Sequence, residues 1–454
     1  MSAPPRQAPA WALPAVTLLA VVVLATLCQD RLAFVDFISF AGRARRLREV
    51  TDLVHPLYPV GYPAVLSALT AVVGDVLWAG KALAVAAGAL AIAATARMLG
   101  PLPALWLLAQ GALLQWGRTE GTDMPAAALS LASIAAATER RPGWAGALAG
   151  AACLCRYTGL AVVPVALLLA GRPHVFLGAF VATTAPHWAA ALFTGASVLP
   201  DQTENLTIAA GHSTTLLSVE TLHRWPRGMA HATAMAARQP ATWIGAVGLL
   251  VGLARRDRRA FALLGLAAAH LALVGLAFAK PRLVLPGTLA LAAGAAFLVP
   301  RDRPRLAWLL PAAGIPVAVG AVLALWSTNS VDDRRVDQGA ALAAADGPFY
   351  TSDPWVAVRD DGWLHGGRPL HAAGQAAALT PASVAAAARD QGIARVMVDR
   401  SRVRRTYAGL TPMMDETSLA GMKLVDRGTG WRLWAVEGVV PVTPPEGEIS
   451  TPGH

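Results

Sequence analysis

Over roughly the first three quarters of the chain, apolar residues come in long runs and polar residues are confined to short connections. Runs of about 17–22 apolar residues are what an α-helix needs to cross a bilayer. They predict about eleven membrane helices, over 10–28, 78–98, 102–117, 124–138, 144–155, 158–171, 174–194, 241–254, 260–279, 283–299 and 306–326. Several are short or broken by proline. A bundle lining an internal cavity tolerates this, because neighbouring protein satisfies the freed backbone groups. The first run follows a single arginine, and its length and the many later spans favour an uncleaved helix over a signal peptide.

After residue 326 the pattern changes. "GPFYTSDPW" reads as a strand ending in a turn, and "IARVMVDR", "MKLVDRG" and "WRLWAVEG" as strands. "TPASVAAAARDQG" carries an N-cap, a helical run and a terminal glycine. The chain therefore divides into a membrane domain over 1–326, a small α/β domain over 327–440 and a polar tail over 441–454 predicted to be disordered. The expected fold class is an α-helical polytopic membrane protein with a small C-terminal extracytoplasmic α/β domain.

Charge sets the orientation. Only 15% of the 454 residues are charged and 55% are hydrophobic, against about 25% charged in soluble proteins. The net charge of +10 comes from arginines clustered between apolar runs, a membrane-topology pattern, so nucleic acid is not expected as a partner. Arg97, Arg140, Arg141, Arg172, the run Arg255 to Arg259 and the run Arg301 to Arg305 mark alternate connections as cytoplasmic. The N-terminus is then inside. Residues 29–77, 118–123, about 195–240, 280–282 and everything after 326 lie outside. Cys28, Cys153 and Cys155 suggest neither a disulfide nor a metal site.

The candidate chemistry falls on the outer side. In "DFISFAGRARRL", Phe37, Phe40, Ala41, Ala44 and Leu47 share one helical face, while Asp36, Ser39, Arg43 and Arg46 form another stripe. This predicts an amphipathic helix over about 34–48 on the outer membrane surface, with basic residues that run against the positive-inside trend. It is either a surface helix touching anionic lipid or a holder of a phosphate-bearing lipid near Asp36. Arg118, Glu120 and Asp123 cluster in the next outer turn, where Asp123-Met124-Pro125 also fits a helix N-cap. Arg156, Lys280 and Arg282 split two further apolar hairpins at outer boundaries. Charges there face protein or a water-filled cavity, or anchor the interface. In "HPLYPVGYPAVLSAL" prolines fix the path into the membrane, with Tyr58 and Tyr62 at headgroup depth. His55 and Tyr58 are candidates to touch substrate. The ten histidines show no metal-ligand spacing, and no glycine-rich phosphate loop or nucleophile elbow occurs.

Taken in order, "VDFISFAGRARRL", "HPLYPVGYPAVLSAL", "GTDMPAAALSLAS", "RYTGLAVVPVALLLA" and "KPRLVLPGTLALAAGAA" resemble the integral-membrane glycosyltransferases of the GT-C fold. The likeness is to bacterial members of the protein mannosyltransferase and aminoarabinose transferase group, over roughly residues 10–300. The resemblance implies a bacterial inner-membrane enzyme. Its partners would be membrane lipids, a sugar on a polyprenyl phosphate presented from the outer leaflet, and a lipid, glycan or protein acceptor. Asp36 would act as general base or organise the acceptor hydroxyl. Asp30 is the competing acid, since the family commonly has a second acid where this chain has Phe37. Arg43, Arg118, Arg156, Lys280 and Arg282 would stabilise the leaving phosphate. Glu120, Asp123, His55 and Tyr58 would serve the acceptor, the sugar or a metal, with Mg²⁺ or Mn²⁺ as the divalent candidate.

Two other readings stand beside it. A transporter or flippase of lipid-linked sugars would also want cations facing a cavity, but the acids sit at the outer face and the helix centres are nearly free of carboxylates. A non-catalytic scaffold would be indifferent to Asp36.

Overall fold

A computed structural model describes residues 9–28, 37–48, 59–193, 219–276, 281–300, 303–327, 338, 341–342, 348–353, 356, 368–375 and 378–439. The chain forms two compact units, Met1–Asn329 and Ser330–His454. The first is helical: α1 Ala12–Thr26, α2 Phe37–Arg48, α3 Gly61–Val73, α4 Val76–Leu99, α5 Pro101–Leu108, α6 Gly111–Trp116, α7 Asp123–Thr138 and α8 Pro142–Cys155. A 3-10 turn, Tyr157–Ala161, leads to α9 Val162–Leu169 and α10 Pro173–Phe193. Then follow α11 Val219–Ala237, α12 Pro240–Ala254, α13 Arg258–Leu276, α14 Leu285–Ala293 and α15 Leu309–Ser327.

The first unit is a polytopic membrane fold. Among the described residues, α4, α10, α13 and the stretch Arg305–Leu325 are long and apolar enough to cross a membrane. Seven shorter apolar helices accompany them, eleven in all, but not the eleven expected. The span expected over 102–117 breaks at Ala109-Gln110 into α5 and α6, whereas Gly61–Val73 forms a helix of its own. The loop expected over about 195–240 contains α11, whose polar sequence hides it from a hydropathy reading.

Small residues let the helices approach closely, as lipid-embedded packing requires. A Cβ on Gly245 of α12 would stand 1.8 Å from the Leu291 carbonyl oxygen, and one on Gly294 would stand 2.4 Å from the Gly245 carbonyl oxygen. Alanine at either position would force the two backbones apart.

The arginine-rich connections gather at one end of this bundle. Arg97 pairs with Glu139, which also meets Arg141 at 3.3 Å. Arg258 donates to the Leu169 carbonyl. Arg259 donates to the Met98 carbonyl at 3.1 Å and pairs with Asp257 at 2.8 Å. Arg255 donates to the Phe297 carbonyl at 2.9 Å. Several of these contacts place cations on helix C-termini, where the backbone carbonyls are unsatisfied. Two cavities of about 400 and 410 Å³ open here, one lined by Arg97 and Trp144, the other by Arg255 and Arg259.

The second unit is a mixed six-stranded sheet in the order β2-β1-β3-β6-β5-β4. The strands are β1 Phe349–Thr351, β2 Arg368–Pro369, β3 Arg395–Asp399, β4 Ser418–Leu419, β5 Met422–Gly428 and β6 Trp431–Val436. β1 runs parallel to β2 and β3, and the remaining pairs are antiparallel. Helix α16, Pro381–Asp390, connects β2 to β3, and Thr380 and Ser383 close its first turn as a capping box. The strand over "IARVMVDR" is the buried centre of the sheet. Trp434 is fully buried and donates to the Met413 carbonyl at 3.1 Å.

Candidate active site

Lys81 lies near the start of α4, and Arg97 is sixteen residues on, about 24 Å away along the helix. Around Lys81 the bundle buries its charges. Lys81 Nζ donates to Glu120 Oε2 at 2.9 Å, with both side chains almost completely removed from solvent. One step away, Arg156 Nη1 meets Asp123 Oδ1 at 2.8 Å and donates to Thr122 Oγ1 at 2.9 Å. These two pairs lock the turn at 117–123 to α4 on one side and to the hairpin after α8 on the other.

Helix α2 seats on the same turn. Its apolar face is Phe37, Phe40, Ala41 and Ala44, all buried. A Cβ on Gly80 would stand 2.5 Å from the Phe37 ring and 3.0 Å from Glu120 Cβ, so the bare glycine gives the ring its place. Phe40 packs edge-on against Tyr62 at 5.4 Å, and the Tyr62 hydroxyl accepts the Gly121 N–H at 3.0 Å. Tyr62, expected to face the headgroups, is buried within the protein. The expected lipid-facing stripe of α2 faces protein instead. Arg43, expected on the polar stripe, is 1% exposed and donates to the Pro59 carbonyl at 3.3 Å. Its charge also reaches Tyr157 and His187.

The other expected residues fall as follows. Arg118 is buried and donates to the Leu27 carbonyl at 3.3 Å, tying the turn to the end of α1. Arg282 is half-buried next to Leu283, whose carbonyl oxygen lies 2.7 Å from Nε2 of the buried His270. That contact ties α13 to the Arg282 turn. Asp123 is not a cap: Thr122 holds the N-cap position and Asp123 is the first helical residue, turned toward Arg156. Asp36, Asp30, His55, Tyr58 and Lys280 lie outside the described residues. Three of them adjoin described positions, Phe37, Pro59 and Pro281.

Three buried titratable residues around this cluster escaped the sequence reading. Lys81 sits inside a run read as a membrane span, although a lone lysine in such a run is itself a signal. His270 and His187 are single histidines on apolar helices, with no spacing to mark them.

Among the described residues, no three His, Cys, Asp or Glu side chains come together as metal ligands. Glu120 and Asp123 each already face a cation. The described residues therefore do not fit a divalent-metal site, and no step is assigned to a metal.

No protein-family model matches the chain, and no curated protein matches it. Solved structures do. ArnT from Cupriavidus metallidurans, bound to undecaprenyl phosphate, superposes with a TM-score of 0.63 at 15% identity, covering 95% of this chain and 99% of that one. The chain has the GT-C fold. The Archaeoglobus fulgidus oligosaccharyltransferase in complex with Zn and sulfate shares that GT-C fold with a TM-score of 0.55 at 13% identity, covering 85% of this chain and 68% of that one. The same organism's oligosaccharyltransferase AglB, in complex with an inhibitory peptide and a dolichol-phosphate, gives 0.50 at 12%, covering 95% and 75%. These GT-C proteins span the membrane unit and the C-terminal sheet unit alike.

Proposed function

We propose that this protein is a glycosyltransferase that moves a sugar from a polyprenyl-phosphate carrier to an acceptor hydroxyl at the outer face of a bacterial inner membrane. The observation that carries the reading is the superposition on ArnT bound to undecaprenyl phosphate, nearly end to end in both chains. The buried acid–cation cluster at one end of the bundle supports it. In this reading the N-terminus is cytoplasmic, 1–326 is the catalytic membrane domain, and the α/β domain over 327–440 is exported.

The acceptor oxygen attacks the anomeric carbon, and the bond from that carbon to the carrier phosphate breaks with its electrons leaving on the phosphate. The acceptor proton passes to Asp36, the general base. The phosphate departs as an anion that needs positive charge nearby more than a proton. Arg43, Arg118, Arg156, Lys280 and Arg282 are the cations proposed for it. Arg156 is partly offset by Asp123, so its role is weighted toward holding the turn. Glu120 and Asp123 keep the cation framework in place, and His55 and Tyr58 are acceptor-side candidates.

The test is transfer of radiolabel from polyprenyl-phosphate sugars into a membrane-lipid extract by purified wild type, Asp36→Asn and Asp30→Asn. Wild type and Asp30→Asn are expected to transfer label, with Asp36→Asn slower by about 10²–10⁴-fold. Absence of transfer by wild type, or label crossing liposomes unchanged in all three proteins, would overturn the reading.

A further inference from the structure

The cavity of about 400 Å³ at the arginine end lies between the start of α1, the last turns of α4 and α7, and the start of α8. Its size falls among ligand pockets, which run from about 300 to 1,000 Å³. Arg97, Glu139, Arg141 and Trp144 line its polar end. Leu90 lines it about 10 Å further back along α4, and the wall between is largely alanine, Ala93 and Ala94 of α4 with Ala135 and Ala136 of α7. Elsewhere in the bundle small residues bring two backbones into contact; here they border open space. In a bilayer the solvent for such an apolar trough is acyl chain. Leu13 and Trp144 both line the trough and are exposed, so it opens on the outer wall of the bundle. Trp144, and the exposed Trp11 two residues before Leu13, are the side chain that favours the boundary between headgroups and water.

The polar end is built for an anion. Glu139 bridges the Nε atoms of Arg97 and Arg141, the second at 3.3 Å. A guanidinium carries five N–H donors in a planar fork, so a carboxylate on each Nε leaves the terminal amino groups for a second anion. The bridge also holds side by side two like charges that repulsion would separate. The trio keeps a net positive charge. Arg140, exposed between two of these residues, has φ 59°, a left-handed conformation that favours glycine. The Arg141 N–H donates to the Ala136 carbonyl at 2.9 Å and closes this helix ending, a place where glycine is usual. Arginine there adds a third cation to the rim against the preference of the backbone.

We propose that this cavity binds an anionic phospholipid, with its phosphodiester on the terminal amino groups of Arg97 and Arg141 and one acyl chain in the alanine trough. Arginine forks match phosphate oxygens, and basic pockets between membrane helices suit anionic head groups. A zwitterionic lipid brings an ammonium that the guanidiniums repel. A free phosphate has nothing to place in the trough. The site stands at the opposite end of α4 from Lys81, and it requires the membrane fold but not the transfer reaction.

The test is native mass spectrometry of the purified full-length protein, stripped of lipid and titrated with phosphatidylglycerol or phosphatidylethanolamine of identical chains. Wild type should bind one phosphatidylglycerol about ten- to thirtyfold more tightly than phosphatidylethanolamine. The double variant Arg97→Gln/Arg141→Gln should lose most of that preference. Ala93→Leu, which fills the trough and touches no charge, should weaken phosphatidylglycerol binding by about three- to tenfold. Arg172→Gln, after α9 at the same end of the bundle but off the cavity, should bind as wild type does. Equal affinity for the two lipids, an unchanged preference in the double variant, or an equal loss in Arg172→Gln would overturn the site. Displacement of phosphatidylglycerol from wild type by excess inorganic phosphate would overturn the lipid assignment, leaving a bare anion site. Should the double variant fail to fold, Ala93→Leu decides: full phosphatidylglycerol affinity there rejects the trough.

Discussion

Both ends of the helix bundle are rich in charge, yet they handle it in opposite ways. At one end Arg97, Arg141 and Arg259 stay substantially exposed, at 45%, 53% and 40% of their side chains, and bind acids or helix carbonyls at the rim. At the other, Lys81, Glu120, Asp123 and Arg43 are withdrawn from solvent. Rim charges cost little to keep and little to lose. Buried charges pay a desolvation penalty that their pairing only partly repays. A fold that needed only topology signals would have no reason to bury the second set. Their burial is the contrast on which the proposed site at that end is built.

The contrast is breakable by mutation. The largest effect is expected from Glu120→Gln, which leaves the Lys81 ammonium buried without its 2.9 Å carboxylate partner. A loss of about 3–5 kcal/mol in unfolding free energy follows from that mechanism, read by denaturation in detergent, and Lys81→Met with Glu120→Leu should recover most of it. A Glu120→Gln protein as stable as wild type would erase the distinction between the two ends. Gly80→Ala comes next, because the new methyl meets the Phe37 ring at 2.5 Å. It should cost about 1–3 kcal/mol and also slow transfer, since Phe37 follows the proposed base, Asp36. The smallest effect is expected at the rim, where Glu139→Gln should change stability by about 0–1 kcal/mol. A larger loss there would mean that the arginine end is also a tightly coupled network.

Most of the helical architecture was legible in hydropathy, because lipid imposes a simple length rule on apolar runs. The strands over 395–399, 422–428 and 431–436, and the helix Pro381–Asp390 with its Thr380 cap, were also readable from local pattern. What escaped depends on tertiary contact. The break between α5 and α6 falls in an apolar run with no proline or glycine pair to announce it. Helix α11 is too polar for a hydropathy window. The sequence brought Glu120 and Asp123 to notice as neighbours in a turn, but not that Glu120 would meet Lys81 of α4 and Asp123 the Arg156 that follows α8. Tyr62 looked like an interfacial anchor because tyrosine favours the water–lipid boundary; only tertiary contact, with the Phe40 ring and the Gly121 N–H, shows it buried in protein.

The contact between Gly245 and Gly294 has a consequence for how such a chain can diverge. Where two backbones touch directly, the spacing of the helices depends on the absence of side chains rather than on a matched set of large ones. Large residues elsewhere on those helices are then free to drift, provided they remain apolar toward lipid. A lineage built on such contacts can replace most of its letters and keep its shape. That is one physical route by which a chain sharing 15% of its residues with ArnT still superposes on 99% of it.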